Sequence, residues 1–301
     1  MDLKGKTIAV TGATGFLGTY LSLALLRRGA TVRGVVRSPH KGPWLAQQGV
    51  DFAKADLMEP DALKAAFSGV DAIISNAALF TMEKASWDDF YQPNRVGTDN
   101  VFRAAHQAGV SRIVQISSVA VYHKRFPKNL HESTPLLTER QRGRFWAYAV
   151  TKALSEQLAW DLATEFGQEL TVLRPGPIYG QGDKNIIPMI EKLFRAPFLP
   201  SPSLGFPAVH AEDVANAACE AVLNPQSAGK AYNLAGPPEP ISTLLKHWKD
   251  ISGQGPLLIP TPVPFVASYD ISAAQTDLRF KNRPLVDGVR ETLSGTIPST
   301  N

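Results

Sequence analysis

The chain has 301 residues, of which 44% are hydrophobic and 19% are charged, and its formal net charge is +4. These values are typical of a soluble globular protein with one large core or two unequal domains. The sequence shows no apolar run near the about 18 residues that a membrane-spanning helix needs, and no signal peptide, basic amphipathic helix or zinc-ligand spacing. We therefore expect a cytoplasmic protein that binds neither membranes nor nucleic acids, and no metal site.

A short apolar strand is predicted at residues 7–10, directly before a turn that contains Gly12, Gly15 and Gly18. A helix with a broad apolar face follows as far as Gly29. Glycines in this position let the backbone approach a pyrophosphate closely, and the N-terminus of the helix supplies oriented N–H groups. The order strand, turn and helix therefore predicts a dinucleotide site.

The second strand, at residues 31–36, ends at Arg37 and is followed shortly by Lys41. A fold of this kind that prefers NAD usually has an acidic residue near this strand end, whereas an arginine can pair with the 2′-phosphate of NADP. No acidic residue occurs from Thr31 to Lys41. The pattern favours NADP, although Arg37 could also be an ordinary surface cation.

Three further strands are predicted at residues 50–55, 71–75 and 112–116, with helices between them. The helix after the third strand is expected to begin at Pro60, because proline is tolerated in the first helical position. Alternating strands and helices indicate an α/β fold with a doubly wound parallel sheet of the Rossmann type. Ligands of such sheets bind beyond the carboxyl ends of the strands, where this chain has Gly12, Arg37, Asp56, Asn76 and Ser118.

Tyr148 and Lys152 lie four residues apart at the start of a predicted helix, a spacing that puts both side chains on one face. A neighbouring ammonium favours the phenolate form of a tyrosine, whose unperturbed pKa is about 10. The pair could therefore exchange protons near neutral pH, although most such pairs are solvated neighbours.

A sixth strand is predicted at residues 170–174, and we place the boundary of the dinucleotide-binding domain, residues 1–174, at its end. Residues 175–301 are expected to form a smaller substrate-binding region, interleaved with the first domain. Within it we predict a helix near 187–195, a strand near 207–209, a helix from Ala211, and long loops at the proline clusters 197–207 and 260–264. The single cysteine, Cys219, is expected to be a buried structural thiol on that last helix.

The formal charge excess lies in one segment, residues 123–146, which has six basic and two acidic residues. This segment could meet an anionic group of a ligand, or it could be a solvated loop.

Seven motifs in order resemble the extended short-chain dehydrogenase/reductase family, also described as NAD(P)-dependent epimerases/dehydratases. They are Thr11 to Gly18, Asp56-Leu57, Asn76-Ala77-Ala78, Ser117 to Tyr122, Tyr148 to Lys152, Arg174 to Gly180, and His210 to Ala215. The segment Arg174-Pro175-Gly176-Pro177, together with Arg37, is most similar to the branch that contains dihydroflavonol reductases and 3β-hydroxysteroid dehydrogenases. The resemblance covers nearly the whole chain.

The resemblance implies that Tyr148 is the general acid or base, that Lys152 lowers its pKa and holds the nicotinamide ribose, and that Ser118 hydrogen-bonds the substrate oxygen. Ser117 is the alternative hydroxyl, and Asn94 is expected to be a structural hydrogen-bonding residue. The residues expected to bind the cofactor are Gly12, Thr14, Gly15, Phe16, Leu17, Gly18, Arg37, Lys41, Asp56, Leu57, Asn76, Ala77, Ala78, Ser117, Tyr148, Lys152, Pro175, Gly176 and Ile178.

The resemblance also implies a substrate pocket beside Tyr148. Its expected residues are Phe80, Ser118, Tyr122, His123, Phe145, Trp146, Pro177, Ile187 and Met189. This mixture of rings and aliphatic side chains favours a partly apolar substrate. His123 replaces a glycine that is common in the family, so it is either a rim residue or an additional base.

Three functions are compatible with these residues. The first is an NADP-dependent oxidoreductase that transfers a hydride between nicotinamide and a ketone or secondary alcohol. The second is a nucleotide-sugar epimerase with an internally recycled cofactor; the lack of an Asp/Glu pair beside Ser118 weakens the related dehydratase reaction. The third is a non-catalytic NADP-binding regulator, which the intact set Ser118, Tyr148 and Lys152 disfavours. The resemblance also implies a homodimer.

Overall fold

The structure, a computed structural model, describes residues 2–81, 83–123, 128–143, 145–261 and 267–295. The strands in these ranges are β1 Thr7–Thr11, β2 Thr31–Val36, β3 Val50–Lys54, β4 Ala72–Ser75, β5 Arg112–Ile116, β6 Glu169–Pro175, β7 Ile178–Tyr179, β8 Phe198–Pro202, β9 Val209–His210, β10 Lys230–Leu234 and β11 Leu257–Thr261.

The helices alternate with the first six strands and then continue through the C-terminal part of the chain. They are α1 Phe16–Arg27, α2 Pro43–Gln47, α3 Pro60–Phe67, α4 Trp87–Tyr91, α5 Gly97–Gln107, α6 Ala147–Phe166, α7 Ile186–Leu193, α8 Ala211–Leu223, α9 Ile241–Ser252, α10 Ser272–Asp277 and α11 Leu285–Ser294. Among the described residues, no helix combines the length and the apolar character needed to cross a membrane.

One parallel sheet has the strand order β10-β6-β5-β4-β1-β2-β3 within the described residues. β4 and β5 are buried along their whole length, as expected for parallel strands that are covered on both faces. The strand order changes direction between β1 and β4, and the carboxyl ends of these two strands form the crevice in which such sheets bind ligands. The predicted Rossmann-type fold class is confirmed.

Two apolar cores cover the faces of this sheet. One contains side chains of α1 and α8, among them Leu21 and Cys219, and the other contains side chains of α3, α5 and α6, among them Phe67, Phe102 and Leu162. Cys219 is fully buried, as predicted. Helices on both faces fix the sheet, so the loops at its carboxyl edge start from a rigid base.

The helix predicted between the fourth and fifth strands is divided into pieces. A π-helical turn, Gln92–Val96, separates α4 from α5. Pro93 has no N–H group to donate to a preceding carbonyl, and such π turns are often found at functional sites.

The expectation of a long loop at residues 197–207 is wrong for its first part. β8 forms there and pairs in parallel with β11 in a separate two-stranded sheet. Prolines stand in both strands, which is possible because every strand of a two-stranded sheet is an edge strand. Of the second proline cluster, residues 262–264 lie outside the described residues.

The chain returns to the large sheet after residue 175. α8 covers the face near α1, and β10 pairs with β6 from Lys230 to Leu234. The remaining C-terminal elements α7, β8, α9 and α11 share a smaller core that contains Ile190, Leu245 and Val289. We retain the division into a dinucleotide-binding part and a smaller substrate-binding part as a proposal, with residues 211–234 belonging structurally to the first.

Candidate active site

The glycine turn between β1 and α1 lies at the crevice of the large sheet. Gly12 has a positive φ of 68°, and a Cβ atom there would lie 3.1 Å from the Cα atom of Ala77. A Cβ atom on Gly18 would collide with the carbonyl oxygen of Gly12. Only glycine meets both conditions, because it has no side chain and tolerates positive φ.

Gly15 is the N-cap residue of α1 and provides no side-chain acceptor for the first N–H groups of the helix. These groups can therefore bind a phosphate, since unsatisfied N–H groups and the helix dipole both attract anions. The side chain of Leu17 is buried in the core, so only its backbone can contact a cofactor. Thr14 and Phe16 are half-buried at the turn. The turn fits the pyrophosphate of a dinucleotide.

Arg37 and Asp56 follow β2 and β3 at the same edge of the sheet. The Arg37 side chain is 80% exposed, and its Nε lies 3.8 Å from Oδ2 of Asp56. Such an exposed pair adds little to stability, so the guanidinium is free to bind another anion. Lys41, four residues after Arg37, is also exposed. Leu57 packs against Gly97 of α5.

The loop after β4 is held by two polar side chains. The Thr11 hydroxyl accepts hydrogen bonds from the N–H groups of Asn76 (3.0 Å) and Ala77 (2.9 Å). Asn94 is buried, accepts a hydrogen bond from the N–H of Leu79 (2.8 Å) and donates one to the hydroxyl of Thr151 in α6 (3.2 Å). These bonds connect the loop to the tyrosine helix and agree with the structural role predicted for Asn94.

Ser118, Tyr148 and Lys152 come together at the carboxyl end of β5. The Ser118 hydroxyl lies near enough to Tyr148 to lower the pKa of the phenol, and the Nζ of Lys152 donates to the carbonyl oxygen of Ile116 (2.7 Å). The first turn of α6 positions Tyr148, and Lys152 lies one turn later on the same face. Both side chains are buried, with 9% of Tyr148 and 4% of Lys152 exposed.

Burial dominates the titration of this pair. It raises the pKa of Tyr148 to about 12, opposed by the hydrogen bond from Ser118. It lowers the pKa of Lys152 to about 8, opposed by the charge of Glu156. The lowering of the Tyr148 pKa by Lys152 stays a prediction, since the ammonium is bonded to Ile116 and burial is the largest influence on the phenol.

Ser117 and Tyr122 belong to a buried network instead of the crevice. The Ser117 hydroxyl donates to Oε2 of Glu156 (2.6 Å), and Glu156 forms a buried ion pair with Arg174. Arg174 also donates to the hydroxyl of Tyr122 (2.9 Å), which in turn donates to Oδ1 of Asn233 (2.5 Å). Both hydroxyls therefore have protein partners, and the cofactor role expected of Ser117 and the substrate role expected of Tyr122 stay predictions.

The segment after β6 approaches the crevice from the other side. Pro175 and Gly176 are buried, and a Cβ atom on Gly176 would collide with the carbonyl oxygen of Pro207. Pro177 and Ile178 are half-buried. Close backbone packing explains the glycine, and the predicted ligand contacts of these four residues stay predictions.

Ile187 and Met189 lie on α7, in a different apolar environment from Tyr148. Met189 lines a cavity of about 180 Å³, and Ile187 packs against the same core. The other residues lining this cavity are Ile186, Ile190, Leu193, Leu199, Pro200, Pro202, Phe206, Ile241, Leu244 and Leu245. The lining contains none of Ser118, Tyr148 and Lys152. The substrate contacts expected of Ile187 and Met189 stay predictions.

Aromatic side chains surround the ring of Tyr148. The ring centroids of Phe80 and Trp146 lie 5.0 Å and 4.8 Å from that of Tyr148, and the buried Phe90 lies 6.2 Å from it. Exposed His123 is 6.0 Å from the ring of Phe145, at the edge of this group. The exposed position of His123 is consistent with a rim residue.

The basic segment is only partly described. Arg142 holds its guanidinium 4.3 Å from the ring centroid of Trp87, and Lys128 and Arg140 are exposed. Lys124, Arg125 and Arg144 lie outside the described residues. Arg142 therefore uses its charge in a cation–π interaction with Trp87.

The glycines of the turn, Tyr148 and Lys152 could be recognised from their sequence motifs. Three other residues of the site region were not predicted. Thr11 could have been noticed as a hydroxyl at the end of an apolar strand. Glu156 follows Lys152 by one turn and had no distinguishing pattern. Asn233 lies in a strand that was not predicted.

Known proteins resemble the chain in sequence. The model of the NAD dependent epimerase/dehydratase family matches residues 8–235. The 2-alkyl-3-oxoalkanoate reductase of Stenotrophomonas maltophilia (strain K279a) is 34% identical over 278 residues, which are 88% of this chain and 81% of that protein. Cinnamoyl-CoA reductase 1 of Petunia hybrida is 34% identical over 193 residues, which are 60% of this chain and 56% of that protein.

Solved structures share the fold. The UDP-glucose-4-epimerase from Stenotrophomonas maltophila, with bound NAD and formylated UDP-arabinopyranose, superposes with a TM-score of 0.81 at 22% identity, over 96% of this chain and 97% of that one. The fold, the glycine turn and the matched segment agree with one another. The chain therefore belongs to the NAD dependent epimerase/dehydratase family and is an extended short-chain dehydrogenase/reductase enzyme.

Proposed function

We propose that the protein is an NADP-dependent reductase that transfers a hydride to a ketone, with Tyr148 as the general acid. The proximity of Ser118 to Tyr148, with the ammonium of Lys152 bonded to Ile116 of β5 beside them, carries this proposal. The first relative is named as a reductase of an oxoalkanoate, and its match extends over most of both chains. That agreement supports a reductase more than an epimerase.

The bound NADPH supplies the hydride. Tyr148 donates its phenolic proton to the substrate oxygen, and its raised pKa keeps that proton in place at neutral pH. Ser118 donates a hydrogen bond to the same oxygen while negative charge develops on it. Lys152 would hold the ribose of the cofactor through its ammonium.

Arg37 supports NADP as the cofactor under this proposal. Its guanidinium is exposed at the end of β2 and has only a long contact with Asp56. A 2′-phosphate would offer it a charge-assisted, bidentate partner. The proposal also includes a homodimer, an expectation from the family resemblance that light scattering on the purified protein tests.

The first test is the Tyr148→Phe variant, assayed for NADPH oxidation with a panel of ketones. Removing a general acid is expected to lower kcat/KM by about 10²- to 10⁴-fold. Tyr91→Phe is the matched control, because Tyr91 stacks on Trp87 and has no place in the proposed mechanism. A Tyr148→Phe variant within a few-fold of the unmodified protein would contradict the proposed role.

Cofactor titration separates the reductase from the epimerase. We expect the fluorescence of the five tryptophans to be quenched by freely exchanging NADPH at much lower concentration than by NADH. NAD that stays bound through purification, together with turnover of sugar nucleotides and no net change in cofactor, would instead support the epimerase.

A further inference from the structure

Phe80 and Trp146 form a partly exposed aromatic pair beside Tyr148. Phe80 is 40% exposed and Trp146 is 43% exposed. Their ring centroids lie 5.5 Å apart with an interplanar angle of 70°, and each ring also contacts the ring of Tyr148. Each ring thus contacts the residue proposed to be the acid and still presents surface to a ligand.

The pair is held in place from behind. Phe80 follows Leu79, whose N–H and carbonyl groups are both bonded to the buried amide of Asn94. Trp146 is the N-cap residue of α6, and its carbonyl oxygen accepts the N–H of Val150 (3.2 Å). Rings fixed in this way bind a ligand with little loss of side-chain entropy.

Buried Phe90 supports Trp146 and Tyr148 from the protein side. Its ring centroid lies 6.2 Å from that of Trp146 at an interplanar angle of 82°, and 6.2 Å from that of Tyr148. The three rings therefore stand on a packed base, and the exposed area of Phe80 and Trp146 faces away from it. A flat group placed there gains edge-to-face or offset contacts that a saturated group of similar size lacks.

We propose that Phe80 and Trp146 are specificity-determining residues that select substrates in which the reacting carbonyl carries a flat, conjugated substituent, such as an aryl ketone. The inference rests on the proposed reduction at Tyr148 and deepens it. The ring centroids of Phe80 and Trp146 lie 5.0 Å and 4.8 Å from that of Tyr148. A substituent on a carbonyl that is hydrogen-bonded to Tyr148 therefore reaches these rings directly.

The test compares acetophenone with cyclohexyl methyl ketone, which differ mainly in the flatness and π-electrons of the ring. kcat/KM is measured for both at saturating NADPH, and the aryl-to-cyclohexyl ratio of each variant is divided by that of the unmodified protein. This division cancels the intrinsic difference in reactivity. We expect Trp146→Leu and Phe80→Leu each to lower the ratio by about two- to twelvefold.

Conservative and distant variants provide the controls. Trp146→Phe and Phe80→Tyr retain a ring and are expected to retain most of the ratio. Phe198→Leu removes an exposed phenylalanine of β8, 58% exposed, and is expected to leave the ratio unchanged. Ratios that do not change in either leucine variant, while Tyr148 remains essential, would overturn the inference and leave the reductase function standing.

A binding measurement on the unmodified protein covers the case in which the leucine variants do not fold. Benzamide and cyclohexanecarboxamide are compared as unreactive competitors of the ketone. We expect the inhibition constant of benzamide to be lower by a similar factor, and equal constants would overturn the inference. Failure of the protein to reduce either ketone is a separate outcome, since it rejects the proposed function on which the inference rests.

Discussion

Ser117 and Ser118 are neighbours with the same chemistry, yet their hydroxyls bond to different partners. Ser117 donates to buried Glu156, whereas Ser118 is bonded to Tyr148. Ser118 has extended backbone angles, and successive side chains of an extended chain point in opposite directions. The local backbone therefore decides which of the two serines can reach a substrate oxygen.

The opposite shifts at Tyr148 and Lys152 predict different pH profiles for the two directions of the reaction. Reduction needs protonated Tyr148, which is the form present below about pH 12, and charged Lys152, which is lost above about pH 8. We expect kcat/KM for reduction to be level at neutral pH and to fall above about pH 8.

Oxidation of the alcohol needs the Tyr148 phenolate, whose fraction rises about tenfold per pH unit below the pKa. The rate of oxidation is therefore expected to increase with pH through the neutral range, until loss of the Lys152 charge opposes the increase. Initial rates in both directions between about pH 6 and about pH 10 measure this difference. A reduction rate that already decreases with rising pH below pH 7 would contradict the raised pKa of Tyr148.

Arg37 is expected to determine the preference between cofactors. Removing its guanidinium in Arg37→Ala should weaken NADPH binding by about ten- to a hundredfold, because a charge-assisted hydrogen bond is lost, and leave NADH binding unchanged. Tryptophan quenching gives both dissociation constants. Arg290→Ala, which removes an exposed arginine of α11, is the matched control. Equal weakening of both cofactors would indicate that Arg37 does not bind the 2′-phosphate.

Residues with a local signature were predictable from the sequence. The glycine turn and the pair Tyr148 and Lys152 depend on short spacings, so their places at the crevice could be inferred. The pKa of Tyr148 could not, because it depends on how completely the fold buries the phenol. Thr11 acts through contacts with the loop after β4, 65 residues later, and such distant pairings have no sequence spacing to reveal them.

At the scale of elements, the ion pair of Glu156 and Arg174 connects α6 to β6. The two side chains are 0% and 4% exposed, and Ser117 joins them to the end of β5. The pair therefore holds together the three elements that carry or flank the predicted catalytic residues.

Glu156→Ala is expected to lower the free energy of unfolding by about 3–5 kcal/mol, because it leaves the Arg174 guanidinium buried without its partner. Urea unfolding followed by tryptophan fluorescence measures the change. Asp250→Ala removes an exposed pair with Lys246 on α9 and is expected to have little effect. Similar decreases in the free energy of unfolding of both variants would show that the buried ion pair stabilises the protein no more than the exposed one.

The elements themselves were predictable to different degrees. β1 to β6 have apolar runs bounded by turn residues, and their positions agree with the structure within one or two residues. β10 contains Lys230, Ala231 and Asn233, which are poor strand formers, and it forms because the edge of β6 is available. β8 and β11 contain prolines, a pattern that indicates loops unless the pairing partner is known.

At the scale of the whole molecule, β10 pairs with β6 as the last strand of the large sheet and connects back to the site. Asn233 on this strand accepts a hydrogen bond from the hydroxyl of Tyr122, which also bonds to Arg174. Residues 1–174 lack both β10 and α8, so β6 would lose its partner and the core beside α1 would be open.

We therefore expect the fragment 1–174 not to fold into a stable unit. Its circular dichroism should show no cooperative thermal transition, whereas residues 1–235, which include α8 and β10, should retain one. Cooperative unfolding of the shorter fragment would contradict the structural assignment of residues 211–234 to the dinucleotide-binding part.

The late position of β10 in the sequence has a consequence for synthesis on the ribosome. When β6 has left the exit tunnel, its free edge has no partner until more than 50 further residues have been added, and the apolar face meant for α8 stays uncovered until α8 has been made. Unpaired strand edges are templates for association with other chains. During that interval the nascent chain avoids association only if it meets other chains slowly or is bound by a chaperone. Substitutions that delay the pairing of β10 would therefore reduce the yield of folded protein before they changed the activity of the molecules that fold.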